Sequence, residues 1–146
     1  MKMLFKDILF TYNMEYIYIG KISIIEKIEF KDYLFSEEKH NNELLDELLN
    51  HIYIYIRRHN MPQKIILDDL KSLEINTKIF MCEKTNEGEF KLLVSIIFLT
   101  KTKIIIQGNE IETENGTIII FPAEWFFYFE LYKSRIIVGY IYEFKE

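Results

Sequence analysis

The chain has one cysteine, Cys82, so it can form neither an internal disulfide nor a CxxC metal pair. A lone thiol suits a reducing compartment, and a cytoplasmic protein, in its own or a host cell, is expected. Histidine is also scarce: His40, His51 and His59 make up the set, and all precede residue 60. His51 and His59 are eight apart on an expected helix, about 12 Å at 1.5 Å per residue, too far to share one ion. Solvated or helix-capping roles are expected for these side chains. Arg57 and Arg58 are the only adjacent arginines and the net charge is -5. That leaves no basic stripe for nucleic acid. With two prolines and five glycines there is no low-complexity tract, repeat or linker. "GNEIETENG" is too acidic and too poor in glycine to cradle phosphate. Long apolar runs are missing as well. "LLVSIIFL", the longest near the middle, is far too short to cross a bilayer as a helix. The opening "MKMLFKDILFTYNMEY" carries Asp7 inside its apolar run and has no small-residue cleavage site, so no signal peptide is read. Ala123 is the only alanine, isoleucine is the commonest residue, and lysine greatly outnumbers arginine. Such usage suits an AT-rich genome, such as that of a large DNA virus, a low-GC bacterium or a parasite.

What is present is apolar and aromatic. Hydrophobic residues are 49% and aromatics 16% of 146 residues, ample for one domain with one core. The apolar content is also compatible with a homodimer. Residues 15–30, "EYIYIGKISIIEKIEF", read as one or two strands broken at Gly20. In "FSEEKHNNELLDELLNHIYIYIRRHN", Ser36 is an expected N-cap with Glu37 and Glu38 in the first turn. Leu44, Leu45, Leu48, Leu49, Ile52 and Ile56 recur at helical spacing, and Asn60 with Pro62 ends the run. This stripe must lie on something, most simply a sheet. "LDDLKSLE", residues 67–74, reads as a short helix. From Asn76 the pattern is β: "TKIFMC", "FKLLVSIIFL", "KIIIQ", "GTIIIF", "WFFYFELY" and "RIIVGYIYEF", punctuated at Gly88, Gly108 and Gly116. The expected organisation is a single domain, 1–146, of α+β class. Strands and helices occupy 1–75 and a jelly-roll core occupies 76–146, with the N-terminal helix packed on the sheet.

The block "EWFFYFELY" is the most unusual stretch. In a strand, Trp125, Phe127, Phe129 and Leu131 share one face, and Phe126, Tyr128, Glu130 and Tyr132 the other. Both faces are largely apolar, which suits a strand buried on both sides. The competing reading is a partner surface, with Trp125, Phe127, Phe129 and Tyr132 as its contacts, because Trp and Tyr are favoured at interfaces.

Three pieces in order, Ile96–Thr100 ("IIFLT"), Asn115–Pro122 with Trp125 ("NGTIIIFP..W"), and Arg135–Tyr140 ("RIIVGY"), carry a resemblance. The run from Leu92 to Phe144 resembles the C-terminal half of the 2-oxoglutarate/Fe(II)-dependent oxygenases, most of all the viral and phage prolyl-hydroxylase type. The resemblance implies a double-stranded β-helix. It also implies Fe(II) held by two His and one carboxylate, with open positions for 2-oxoglutarate and oxygen. The distal His would fall near Phe127 or Phe129, and phenylalanine has no lone pair to donate. The proximal His-x-Asp/Glu pair would fall in "MCEKTNEGEFKLL", which has no His. Arg135 stands where the family places a basic residue on the distal carboxylate of 2-oxoglutarate, a contact that Arg suits.

The leading expectation is therefore a catalytically inactive oxygenase-like domain that binds another protein, without cofactor, in the manner of a host-directed viral module. An active hydroxylase would need Fe(II) and 2-oxoglutarate on an atypical site drawn from Cys82, Glu83, Glu87 or Glu89. A structural jelly-roll protein is the third reading. No Ser/His/Asp or Cys/His constellation is legible.

Overall fold

The computed structural model describes residues 13–34, 43–75, 91–130 and 133–143. Nine strands and one long helix occupy them. In chain order they are β1 (Tyr18–Lys21), α1 (Glu43–Arg58), β2 (Ile65–Leu67), β3 (Lys71–Ile75), β4 (Lys91–Phe98), β5 (Thr102–Ile106), β6 (Asn109–Thr113), β7 (Thr117–Pro122), β8 (Phe127–Phe129) and β9 (Ser134–Glu143). Short 3-10 turns lie at Asn13–Tyr16 and Ile25–Lys27.

The helix forms where the leucine and isoleucine spacing places it. Leu44, Leu45, Leu48, Ile52, Tyr55 and Ile56 are buried along one stripe. Its end is a Schellman motif. Asn60 takes a left-handed φ of 52°, the Met61 N–H donates to the Ile56 carbonyl at 3.0 Å, and the Asn60 N–H reaches the Arg57 carbonyl at 3.5 Å. Asn60 thus stops the helix as its sequence position suggests. The expected cap at Ser36 lies outside the described residues. The helix lies within the first half of the chain, not at its N-terminus, since β1 precedes it.

All described strand pairs are antiparallel and fall into two sheets. The large sheet runs β1-β7-β4-β9-β2, with β3 also pairing β9; the small sheet runs β6-β5-β8. Alternation sorts the large sheet into two faces. Leu93, Ile97, Ile118, Ile120, Ile137 and Ile141 meet the helix stripe in one buried cluster. Val94, Ile96, Phe98, Ile119, Phe121, Ile136 and Val138 meet Ile104, Ile106, Ile111, Phe127 and Phe129 of the small sheet in another. The architecture is three layers: helix, large sheet, small sheet.

Turn chemistry fixes the hairpins. Gln107 and Gly108 have φ of 46° and 81°, the two-residue primed turn that joins β5 to β6 with Ile106 opposite Asn109. Gly116 (φ 93°) donates to the Phe98 carbonyl at 2.7 Å and accepts from the Ile22 N–H at 2.8 Å.

Two expectations need correction. Residues 67–74 are not helical: β2 and β3 flank Leu70, which exchanges two 2.9 Å backbone bonds with Tyr33. Pairing with β9 overrides the local helical spacing, and Ser72 is held further by Asp32 at 2.8 Å. The acidic stretch after Gly108, to which the sequence pattern assigned no element, forms β6; Ile111 and Thr113 face inward while Glu110 and Glu112 face out. Strands from the first 75 residues are also built into the large sheet rather than only covering it. "TKIFMC" lies outside the described residues.

Candidate functional site

The space between the sheets is where the aromatic block converges. After β7 ends at Pro122, a turn closed by the Trp125 N–H on the Pro122 carbonyl (3.1 Å) leads into β8. Because β8 is paired on β5, with Ile104 opposite Phe129 and Ile106 opposite Phe127, odd residues point inward. Phe127 is 2% exposed and Phe129 0%. Phe127 meets Phe121 edge-on with centroids 5.0 Å apart, and Phe129 meets Phe98 at 6.0 Å. Trp125 is buried too, and its Nε1–H finds no acceptor among the described residues. These three side chains are core, so they cannot also be a partner's contact surface. The block is buried on one face only: Phe126 is 49% exposed and Tyr128 is half-buried. Tyr132 lies outside the described residues.

Arg135 is placed away from this interior. On β9, Ser134, Ile136 and Val138 face inward, so Arg135 shares the opposite face with Ile137. It is exposed, lies across from Glu74 on β3, and sets its guanidinium 4.9 Å from the centre of the Phe30 ring. A cation there cannot reach a carboxylate held between the sheets.

His51 and His59 are not simply solvated. Both are half-buried between α1 and the chain entering β1. Tyr18 Oη and His51 Nδ1 share a 2.6 Å hydrogen bond whose donor is set by the imidazole tautomer, and burial raises the Tyr18 pKa against the opposing charge of Arg58, so the phenol stays protonated. His59 packs against Tyr16 (4.8 Å) and Tyr55 (4.5 Å), and Tyr55 Oη donates to the Tyr16 carbonyl at 2.9 Å. Burial lowers the His59 pKa, Arg58 adds to this, and Glu15 opposes it. Burial raises the Tyr55 pKa. The sequence signal for this seam was the i, i+4, i+8 spacing of His51, Tyr55 and His59 opposite Tyr16 and Tyr18. His40, Cys82, Glu83, Glu87 and Glu89 lie outside the described residues.

Fold and interior define a helix-backed antiparallel β-sandwich whose centre is hydrocarbon. No protein-family model and no curated protein sequence matches the chain. Solved structures do. The viral collagen prolyl hydroxylase of Paramecium bursaria Chlorella virus-1, solved as a 2OG complex, superposes with a TM-score of 0.63 at 10% identity, over 92% of this chain and 99% of that one. A truncated form of the same enzyme gives 0.60 at 12% identity, over 89% and 90%. A Pseudomonas putida prolyl-4-hydroxylase gives 0.51 at 8% identity, over 88% and 73%. The chain thus has the prolyl-hydroxylase fold, as its three sequence pieces suggest.

The described residues do not fit the iron that the fold implies. Among the described residues, no three His, Cys, Asp or Glu side chains gather as a metal cluster. The buried polar side chains among the described residues are Ser95, on the helix side of β4, and Thr113 and Ser134, all hydroxyls. An Fe(II) facial site needs imidazole and carboxylate donors, and the described residues of this interior supply neither.

Proposed function

We propose that this chain is a prolyl-hydroxylase-fold domain without oxygenase chemistry, and that it acts by binding another protein. The observation that carries the reading is the filled interior: Phe127 and Phe129, beside the place implied for the distal iron ligand, pack on Phe121 and Phe98. A site without donors cannot orient 2-oxoglutarate on a metal, and fold alone does not supply activity. AT-rich residue usage and the viral prolyl hydroxylase among its structural neighbours support a viral, host-directed role inside the cell.

Calorimetry with Mn(II) in place of Fe(II), with and without 2-oxoglutarate, tests the enzymatic half. Neither should bind, and no succinate should form with Fe(II). Metal-dependent 2-oxoglutarate binding that is lost in Arg135→Ala would overturn the reading and direct attention to Cys82, Glu83, Glu87 and Glu89.

A further inference from the structure

Among the described residues, the outer face of the small sheet belongs to neither buried cluster, and Ile105 at its centre is 4% exposed beneath its neighbours. Strand register lays it out as a grid. Glu112, Lys103 and Glu130 form one row, Glu110, Ile105 and Tyr128 the next, and Gln107 beside Phe126 the last. The first two rows follow from the pairs Lys103–Glu112, Ile105–Glu110 and Ile105–Tyr128. The Glu130 N–H on the Lys103 carbonyl and the Gln107 N–H on the Phe126 carbonyl align the rest.

Two properties set this face apart. Three carboxylates, Glu110, Glu112 and Glu130, are exposed around one ammonium, Lys103, which bridges to Glu110 at 3.7 Å. Beside them lies an aromatic pair, exposed Phe126 and half-buried Tyr128, with centroids 5.8 Å apart at 57°. Phe126 is 49% exposed, a large apolar ring held in water by a rigid strand end. Exposed aromatic surface next to excess carboxylate is complementary to one side chain above others. Arginine pairs carboxylates bidentately and stacks its planar cation on aromatic rings; lysine does the second less well.

We propose that this face docks an arginine-rich segment of another protein, with Phe126 and Tyr128 stacking guanidinium groups and Glu110, Glu112 and Glu130 pairing them. The proposal rests on the reading of the chain as a protein-binding domain, and names the surface and partner chemistry. Aromatic anchors with a charged rim are the usual anatomy of such contacts.

The test uses the full chain and labelled oligoarginine and oligolysine peptides of equal length, read by fluorescence anisotropy at two salt concentrations. Oligoarginine should bind more tightly than oligolysine, and more weakly at high salt. Reversing Glu110, Glu112 and Glu130 to Lys should weaken oligoarginine by about tenfold or more. Phe126→Ala should erase most of the preference for arginine over lysine. The matched reversal of Glu26, Asp46 and Glu74, exposed elsewhere, should change affinity by less than about twofold, since rim charges far from a contact act weakly. Equal losses from both reversals would mean net charge alone is read, and would overturn the proposal. So would oligoarginine affinity that ignores the face variants, or a concentration-dependent dimer abolished by Phe126→Glu, which would assign the face to a second copy. Loss of the proposal in these assays leaves the absence of 2-oxoglutarate turnover untouched. Succinate formation would instead remove the reading beneath it.

Discussion

Phe126 and Phe127 are chemically identical neighbours with opposite surroundings, which makes them a sharp test of the fold. Phe127 is 2% exposed and touches Phe121 and Phe129 with ring centroids at 5.0 and 6.0 Å. Truncating a buried Phe to Ala removes its transfer free energy and leaves a cavity, costing about 3–5 kcal/mol. The edge-to-face pairs place Phe127→Ala toward the upper end of that range. For a domain near this size, each kcal/mol lowers Tm by about 2–4 °C, so a fall of roughly 6–20 °C is expected. Phe126, 49% exposed, touches Tyr128 at 5.8 Å and lies outside both clusters. Phe126→Ala should stay within about 0.5 kcal/mol, as surface changes usually do. Urea titration of both variants, with the slope unchanged, measures the difference directly. Equal costs, or a larger cost at Phe126, would mean that β8 is paired one residue out of register, and the core assignment would fail with it.

Other outcomes follow from single contacts. Gly116→Ala should destabilise by about 1–3 kcal/mol, because φ is 93° there and a Cβ would collide with Ile25 Cδ1; thermal melting checks it. Ser95 Oγ donates to the Gly139 carbonyl at 3.0 Å in a buried setting, so Ser95→Ala should cost about 1 kcal/mol by urea titration. His59 has a folded pKa below its ordinary value, so the unfolded chain takes up the proton first as pH falls. Stability should therefore be full above pH about 6.5 and decline below it, with the decline reduced in His59→Gln; Tm against pH reads this.

The fold was legible where pattern and burial agree. The helix stripe from Leu44 to Ile56, its stop at Asn60, and the paired-face strands at 91–98 and 117–122 follow from periodicity and turn residues. Residues 67–74 misled because their helical spacing is local, whereas their partner β9 lies some seventy residues away in sequence, beyond any window. The strand after Gly108 was hidden by its glutamates, since an edge strand exposes charge on one face. At the aromatic block the alternation was readable but the burial was not. Sequence alone cannot say that the face with Trp125, Phe127 and Phe129 is the covered one. The side of the sheet that Arg135 takes was hidden for a related reason: a one-residue offset in register moves a side chain to the other face. The pairing of His51 and His59 with tyrosines of another element is likewise a product of packing.

β9 is an interior strand of the large sheet, bonded to β4 along one side and to β3 and β2 in turn along the other, yet it comes after them all in the chain. During synthesis the earlier strands must wait, edges unsatisfied, for their shared partner to arrive. Assembly is thus committed late and by long-range closure, which is slow and exposes sticky strand edges meanwhile. A chain ended before Ser134 should therefore not give a smaller folded domain; it should give material that needs a chaperone or another strand to stay in solution.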